Sequence, residues 1–324
     1  MKGLNKILLS ILLGLFFLSL GIGALNISVI DALSGKASYA DSAIFWQLRL
    51  PRSLIAMMAG MTLGLTGAAM QGLLRNPLAD SGVLGISGGA VLGAMISLYT
   101  GFASSGAWLL PVGGFLGALV ATALILIFCL KRTSLLGLIL AGTALNTLFF
   151  ALGSLLLSFS NNPYAILEII YWQMGSFENR TLQQVLMAGP WMVVGWILLF
   201  SVMPAIRLLT LGEDVARTAG VSMPQTLQKI ILGTALSVGA LVAVCGSIGF
   251  VGLFIPHLMR PFVKHDPARL LPASALAGGI FMLVTDILCR IAVSGIELKI
   301  GILTALIGAP FFIFLAFKTK SQIA

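Results

Sequence analysis

The chain has 324 residues, 59% of them hydrophobic and only 9% charged, with a formal net charge of +9. An average soluble domain is about 25% charged. Here runs of roughly 18 or more uncharged apolar residues recur from end to end, each able to cross a bilayer core of about 30 Å as a helix. With a mean hydropathy of +1.07, this composition excludes a soluble globular protein and describes an all-α polytopic membrane protein, one transmembrane domain over 1–324.

The first apolar run, Ile7 to Leu25, follows Lys2 and Lys6. It exceeds the roughly 7–15 residues of a signal-peptide core and has no convincing small-residue cleavage site, so it is read as a retained first span, 5–25. Nine more follow at 50–73, 84–101, 109–130, 135–159, 184–206, 229–248, 250–263, 271–292 and 300–317. In the second, Gly60, Gly64, Ala68 and Gly72 recur every fourth residue, and in the fourth so do Gly113, Gly117 and Ala121. Such stripes let helix backbones approach closely where lipid supplies no hydrophobic drive. The stretch Tyr164 to Met174 carries the aromatics of an interfacial helix. The eighth span is short and contains Pro256, which suggests a broken or re-entrant helix shielded from lipid. Cys129, Cys245 and Cys289 sit in or beside apolar runs without metal-ligand spacing and read as packing residues.

Basic residues set the orientation. With the N-terminus in the cytosol, six of the 19 Lys and Arg fall outside (Lys36, Arg49, Arg52, Arg180, Arg290 and Lys299) and thirteen inside. The positive-inside rule selects this arrangement, with both termini cytoplasmic. The positive charge then needs no nucleic acid to explain it.

The chemistry of an enzyme is missing from the sequence. It contains no G-x-x-x-x-G-K-[ST] phosphate loop. His257 and His265 do not form a zinc-binding pair with a general base. No catalytic residue, metal site or cofactor is called for. Asp286 is the one acid well inside a span, with Arg290 one turn later in position for an i, i+4 pair. A single acid gives thin support to the alternative class, an ion-coupled secondary transporter acting without an ATPase.

The densest charge lies in LGEDVARTAGV (211–221), within an inner loop over 207–228. Gly212 can open a short helix with Glu213 and Asp214 in its first turn, Arg217 near its end and Gly220 closing it, each charge suiting the helix dipole. Val215 and Ala219, joined by Leu211, are expected on one apolar face. A helix offered to a cytosolic partner accounts for this cluster better than a simple connection does.

That segment resembles the coupling segment of the FecCD/BtuC-like permease family of ABC importers, which carry iron-siderophores, haem and cobalamin. QLRLPR (47–52), GAAMQGLLRNPLAD (67–80), LGISGGA (84–90), YWQMGSF (171–177), GSIGFVGLFIPHLMR (246–260), RLLPASALAG (269–278) and GILTALIGAPFFI (301–313) resemble the family in the same order. The resemblance implies a type II ABC importer permease fold of about ten helices in a bacterial plasma (inner) membrane. It also implies a homodimer around a translocation path, separate cytosolic ATPase subunits, an extracytoplasmic substrate-binding protein and a metal-chelate substrate. Gly212, Glu213, Asp214, Ala216, Arg217 and Gly220 would meet the ATPase. Arg49, Arg52 and Arg290 would meet acids of the binding protein, although the same positions also suit snorkelling anchors. Asn76 and Leu78 would form an inner gate, where Asn76-Pro77 also reads as a helix-breaking turn. Two residues depart from the family pattern: Ser81 and Lys299 stand where proline is usual. Among substrates an iron-siderophore ranks first, haem second and cobalamin third.

Overall fold

A bilayer core offers the peptide backbone no hydrogen-bond partner, so apolar stretches satisfy themselves as helices. The computed structural model describes residues 2–320 apart from 24, 26, 101–105, 107, 131–134, 161–162 and 292–297, and no strand occurs among the described residues. In chain order the helices are α1 (Lys2–Gly21), α2 (Val29–Ser34), α3 (Tyr39–Ile44), α4 (Leu50–Leu74), α5 (Ile86–Tyr99), α6 (Leu109–Leu130), α7 (Leu135–Ser158), α8 (Pro163–Gln173), α9 (Leu182–Ser201), α10 (Met203–Leu209), α11 (Glu213–Thr218), α12 (Met223–Cys245), α13 (Val251–Met259), α14 (Pro267–Ile291) and α15 (Ile300–Lys320). Seven helical stretches among the described residues are long and apolar enough to cross a membrane, one of them running from Tyr39 to Leu74. With the shorter α5 and α13, and with α15, helices occupy all ten expected positions.

The differences from expectation have local causes. The span expected over 184–206 is two helices, α9 and α10, which part at Val202. Pro204 has no N–H to continue α9, but it fits the first turn of α10, where that N–H would lack a partner anyway. Pro224 similarly lets α12 begin at Met223, earlier than the expected 229. The segment before α4 holds two short helices, each opened by a serine whose hydroxyl accepts a backbone N–H, Ser28 from Asp31 and Ser38 from Asp41. A π-helical turn, Phe45–Arg49, runs directly into α4. The short eighth span is nine residues of α13, entered through Phe250 at φ +69°.

The small-residue stripes lie where backbones touch. A methyl group added at Gly60 would overlap the carbonyl of Gly278, and one at Gly64 that of Ser274, so α4 and α14 are in main-chain contact along two turns. The second stripe packs α6 on α5, Gly117 against Gly89 and Gly113 against Gly93. At one end of the bundle three connections are joined through the main chain. Ser176 N–H donates to Cys245 O at 2.9 Å, and the N–H groups of Ile300 and Gly301 donate to Gly175 O and Met174 O, each at 3.1 Å. There Lys299, at the position where proline was expected, pairs with Glu178 at 2.8 Å.

Candidate functional site

Three features stand out from one end of the bundle to the other: a short charged helix, a cavity and a knot of arginines. The charged helix is α11. Gly212 precedes it at φ +111° and Gly220 follows at φ +87°, conformations that L side chains rarely adopt. The two acids occupy its first turn, and Arg217 reaches back to Glu213, Nη2 to Oε1 2.7 Å. The chain turns back through Gly220 N–H to Arg217 O and Val221 N–H to Ala216 O, both 2.9 Å. Ala216 is fully buried and seats the helix on the bundle, while Val215 and Leu211 are 45% and 65% exposed. The apolar face expected from Leu211, Val215 and Ala219 therefore turns outward, and the residue between Val215 and Arg217 makes the internal contact.

Behind α11, α10 is tied to the start of α14. Arg207 grips Asp266, with Nη2 to Oδ2 at 2.5 Å and Nε to Oδ1 at 3.3 Å. The same carboxylate accepts the N–H of Ala268 at 3.0 Å, as a helix cap does, and pairs with Arg269 Nε at 3.1 Å. Burial works against ionisation of Asp266. The hydrogen bonds from Arg207, from Arg269 N–H and from Ala268 N–H, together with the charge of Arg207, outweigh it and hold the carboxyl below its ordinary pKa.

The residues expected at the gate lie on the same side, just beyond α4. Arg75 leaves the helix at φ +47°, and Asn76 Oδ1 accepts Leu78 N–H at 2.9 Å in an Asx turn. Leu78 is exposed and Asn76 lies at the surface. The chain then enters the bundle at Asp80 and makes a single 3₁₀ turn, Ser81–Leu84. Ser81 takes the first position of that turn, where a proline would fit the backbone but would lose the N–H that the Asp80 carboxylate accepts.

Above this turn lies a cavity of about 650 Å³, walled by α5, α7, α12 and the Ser247–Gly249 connection. Its polar lining includes Asp80, Ser87, Asn146, Thr147, Gln173 and Ser247. Beside it, Gln71 fastens α4 to α13, donating to Gly252 O and Leu253 O at 3.3 Å and accepting from Arg260 Nη2 at 2.6 Å. No three His, Cys, Asp or Glu side chains among the described residues come together as a metal site would require.

Arg49, Arg52 and Arg290 converge at the opposite end from α11, and they are turned inward. Arg49 is buried and donates to Leu20 O and Gly21 O at 3.0 Å and to Leu25 O. Arg52 Nε meets Asp286 Oδ1 at 2.9 Å, and Arg290 meets the other oxygen of that fully buried carboxylate. Arg290 also donates to Ser19 O at 2.9 Å and Ile22 O at 3.0 Å. The physical reason is the end of α1, whose last carbonyls have no intrahelical N–H to accept from and favour a cation. Sequence spacing gives the Asp286–Arg290 pair, but no local pattern reports Arg52 as its third member, 234 positions away.

The FecCD transport family model matches residues 11–318. The vitamin B12 import system permease protein BtuC of Citrobacter koseri is 39% identical over 276 residues, 85% of this chain and 83% of that one. The protein of the same name from Klebsiella pneumoniae subsp. pneumoniae is 39% identical over 278 residues, 86% and 83%. A solved structure described as an inward-facing conformation of a metal-chelate type ABC transporter matches with a TM-score of 0.88 and 35% identity, covering 98% of this chain and 100% of that one.

Proposed function

Because the chain belongs to the FecCD transport family and is a multi-pass permease of the ABC-importer type, we propose that it works as a homodimer that moves an intact metal chelate into the cytoplasm. An extracytoplasmic binding protein delivers the chelate and two separate ATPase subunits power the step. The observation that carries this reading is the relation between cavity and helix. A polar-lined cavity lies in the bundle, and α11 presents exposed Leu211 and Val215 at one end of it, seated only by Ala216.

The α11 end faces the cytosol on this reading, which the surplus of inner Lys and Arg supports. A nucleotide-driven ATPase that pushes on Leu211 and Val215 moves α10 with α11, and Arg207 passes that movement to Asp266 at the head of α14. Asn76 and Leu78 gate the cavity from below by virtue of their place just before Asp80. At the other end Arg49, Arg52 and Arg290 receive acids of the binding protein, which must compete with Asp286 and the α1 carbonyls for them.

Among the described residues no donor cluster for a bare metal ion lines this cavity, which favours the whole chelate as cargo. Names carried by the relatives make a cobalamin-type corrinoid the first substrate to try, ahead of the siderophore class that ranks first from sequence alone. The test is uptake into proteoliposomes holding the permease, its ATPase and its binding protein, with cyanocobalamin, a ferric siderophore and haem. ATP-dependent accumulation of at least one is expected. Accumulation that proceeds without any ATPase subunit would overturn the reading in favour of an ion-coupled carrier.

A further inference from the structure

Among the described residues that line the cavity, Asp80 is the only acidic one, and no Lys, Arg or His is among them. No ion pair among the described residues includes Asp80; its carboxylate accepts from the Ser81 hydroxyl at 3.4 Å and from the backbone N–H groups of Ser81 and Gly82. The carboxylate lies against the backbone of Gly252, where an added methyl would collide with Oδ1, so α13 closes off that side of it. The remaining polar groups, Ser87, Asn146, Thr147, Gln173 and Ser247, are neutral. Burial raises the Asp80 pKa while the hydrogen bonds from Ser81 and Gly82 oppose that rise; above the raised value the carboxylate is the one net charge among the described lining residues, and with no cation facing it, it sets the potential of the space between low-dielectric walls.

From this we infer that Asp80 is a charge filter: the cavity accepts neutral and cationic chelates and disfavours those with net negative charge. The inference rests on the proposed chelate-import function. In a homodimer the filter is doubled, because each copy contributes its own Asp80. A chelate bearing free carboxylates loses its hydration on entry and meets a like charge with no cation nearby to offset it. A neutral corrinoid meets no charge penalty and can use the amides and hydroxyls of the lining. A chelate with a pendant ammonium gains a partner.

The experiment uses three corrinoids that differ only in charge: cyanocobalamin, its monocarboxylic acid and its aminoethyl amide. ATP-driven uptake into proteoliposomes is measured for the complete complex with wild-type permease and with Asp80→Asn. Any preference of the binding protein is common to both and cancels in the ratio of variant to wild type. For a charge pair several ångströms apart in a partly dry cavity, the ratio for the acid should exceed that for cyanocobalamin by about ten- to thirtyfold, and the ratio for the amine should fall below it. Asp80→Glu should keep the wild-type order. Asn146→Asp places a second acid on the same wall and should deepen the discrimination against the acid, which keeps the inference testable if Asp80→Asn assembles poorly. Equal ratios for all three corrinoids, or an Asn146→Asp variant indifferent to charge, would overturn the filter and leave the import function standing. If the wild-type complex takes up none of the three, nor any ferric siderophore, the import function fails and the filter fails with it.

Discussion

Asp286→Ala isolates the energetics of the arginine knot. The wild-type carboxylate is fully buried and divides its oxygens between Arg52 at 2.9 Å and Arg290. The two arginine side chains are themselves only 13% and 5% exposed. Removing one side of a buried ion pair costs about 3–5 kcal/mol, because the surviving charge stays desolvated. Arg290 keeps the Ser19 and Ile22 carbonyls, which places the expected loss near the lower end, about 3 kcal/mol. At about 2–4 °C per kcal/mol for a large domain, that is a fall of about 6–12 °C in apparent melting temperature. Size-exclusion chromatography of detergent-solubilised protein after stepwise heating reads it directly. Replacing all three members together (Arg52→Met, Asp286→Leu, Arg290→Met) leaves no lone charge and should lose less than Asp286→Ala alone. An Asp286→Ala protein that melts within about 1 °C of wild type would refute this account. If it also docked the binding protein faster, the arginines would be shown to await an external acid and not to serve an internal one.

Three further outcomes follow from the other sites. Glu213→Arg with Asp214→Arg should abolish co-purification with the ATPase subunit while melting is unchanged, since the intrachain pair lost is half-exposed and worth about 0–1 kcal/mol; retained co-purification would remove α11 from the coupling role. Gly64→Val should lower the yield of monodisperse protein, its side chain colliding with the Ser274 carbonyl at an overpacking cost of about 1–3 kcal/mol or more, whereas Gly14→Val, with open space around it, should express as wild type. Asp266 has a folded pKa below its unfolded value of about 3.9, so its contribution is complete above about pH 5 and is lost as pH falls through the folded value. Melting followed from pH 6 to pH 3 should therefore show a smaller acid loss in Arg207→Gln than in wild type, and parallel curves would contradict the pairing.

Much of the fold is legible in the sequence because a membrane reduces the choice to helices, and the length of each uncharged run nearly fixes its ends. The glycine stripes likewise name their own interfaces, since small residues at every fourth position have little use except close approach. What the sequence hides is non-local. Pro204 looks like an ordinary interruption of a long apolar run, yet it splits one expected span into two helices with different partners. On α11 the period alone cannot say which side is seated, and Ala216, outside the expected face, proves to be the contact. Asp80 lies in a motif quoted for its neighbours Asn76 and Leu78, and its position on the cavity wall depends on α5, α7 and α12, which are remote in sequence. The arginines illustrate the same limit: a count of spans brings them to one end of the bundle, but only packing reveals that α1 and Asp286 already hold them.

The contact between α4 and α14 has a mechanical consequence. Gly60 and Gly64 bring carbonyl groups against bare backbone, so no rotamer stands between the two helices to absorb a displacement. At 25 residues and about 1.5 Å per residue, α14 is about 37 Å long, enough to link both membrane faces. Asp266 caps its first turn and Asp286 sits one turn from its last. On the proposed function, a push delivered through Arg207 at the head of this tightly packed pair would meet no soft layer in which to dissipate. It would emerge at the far end as a tilt of the whole rod, and the ion knot that holds α1 would have either to travel with it or to open.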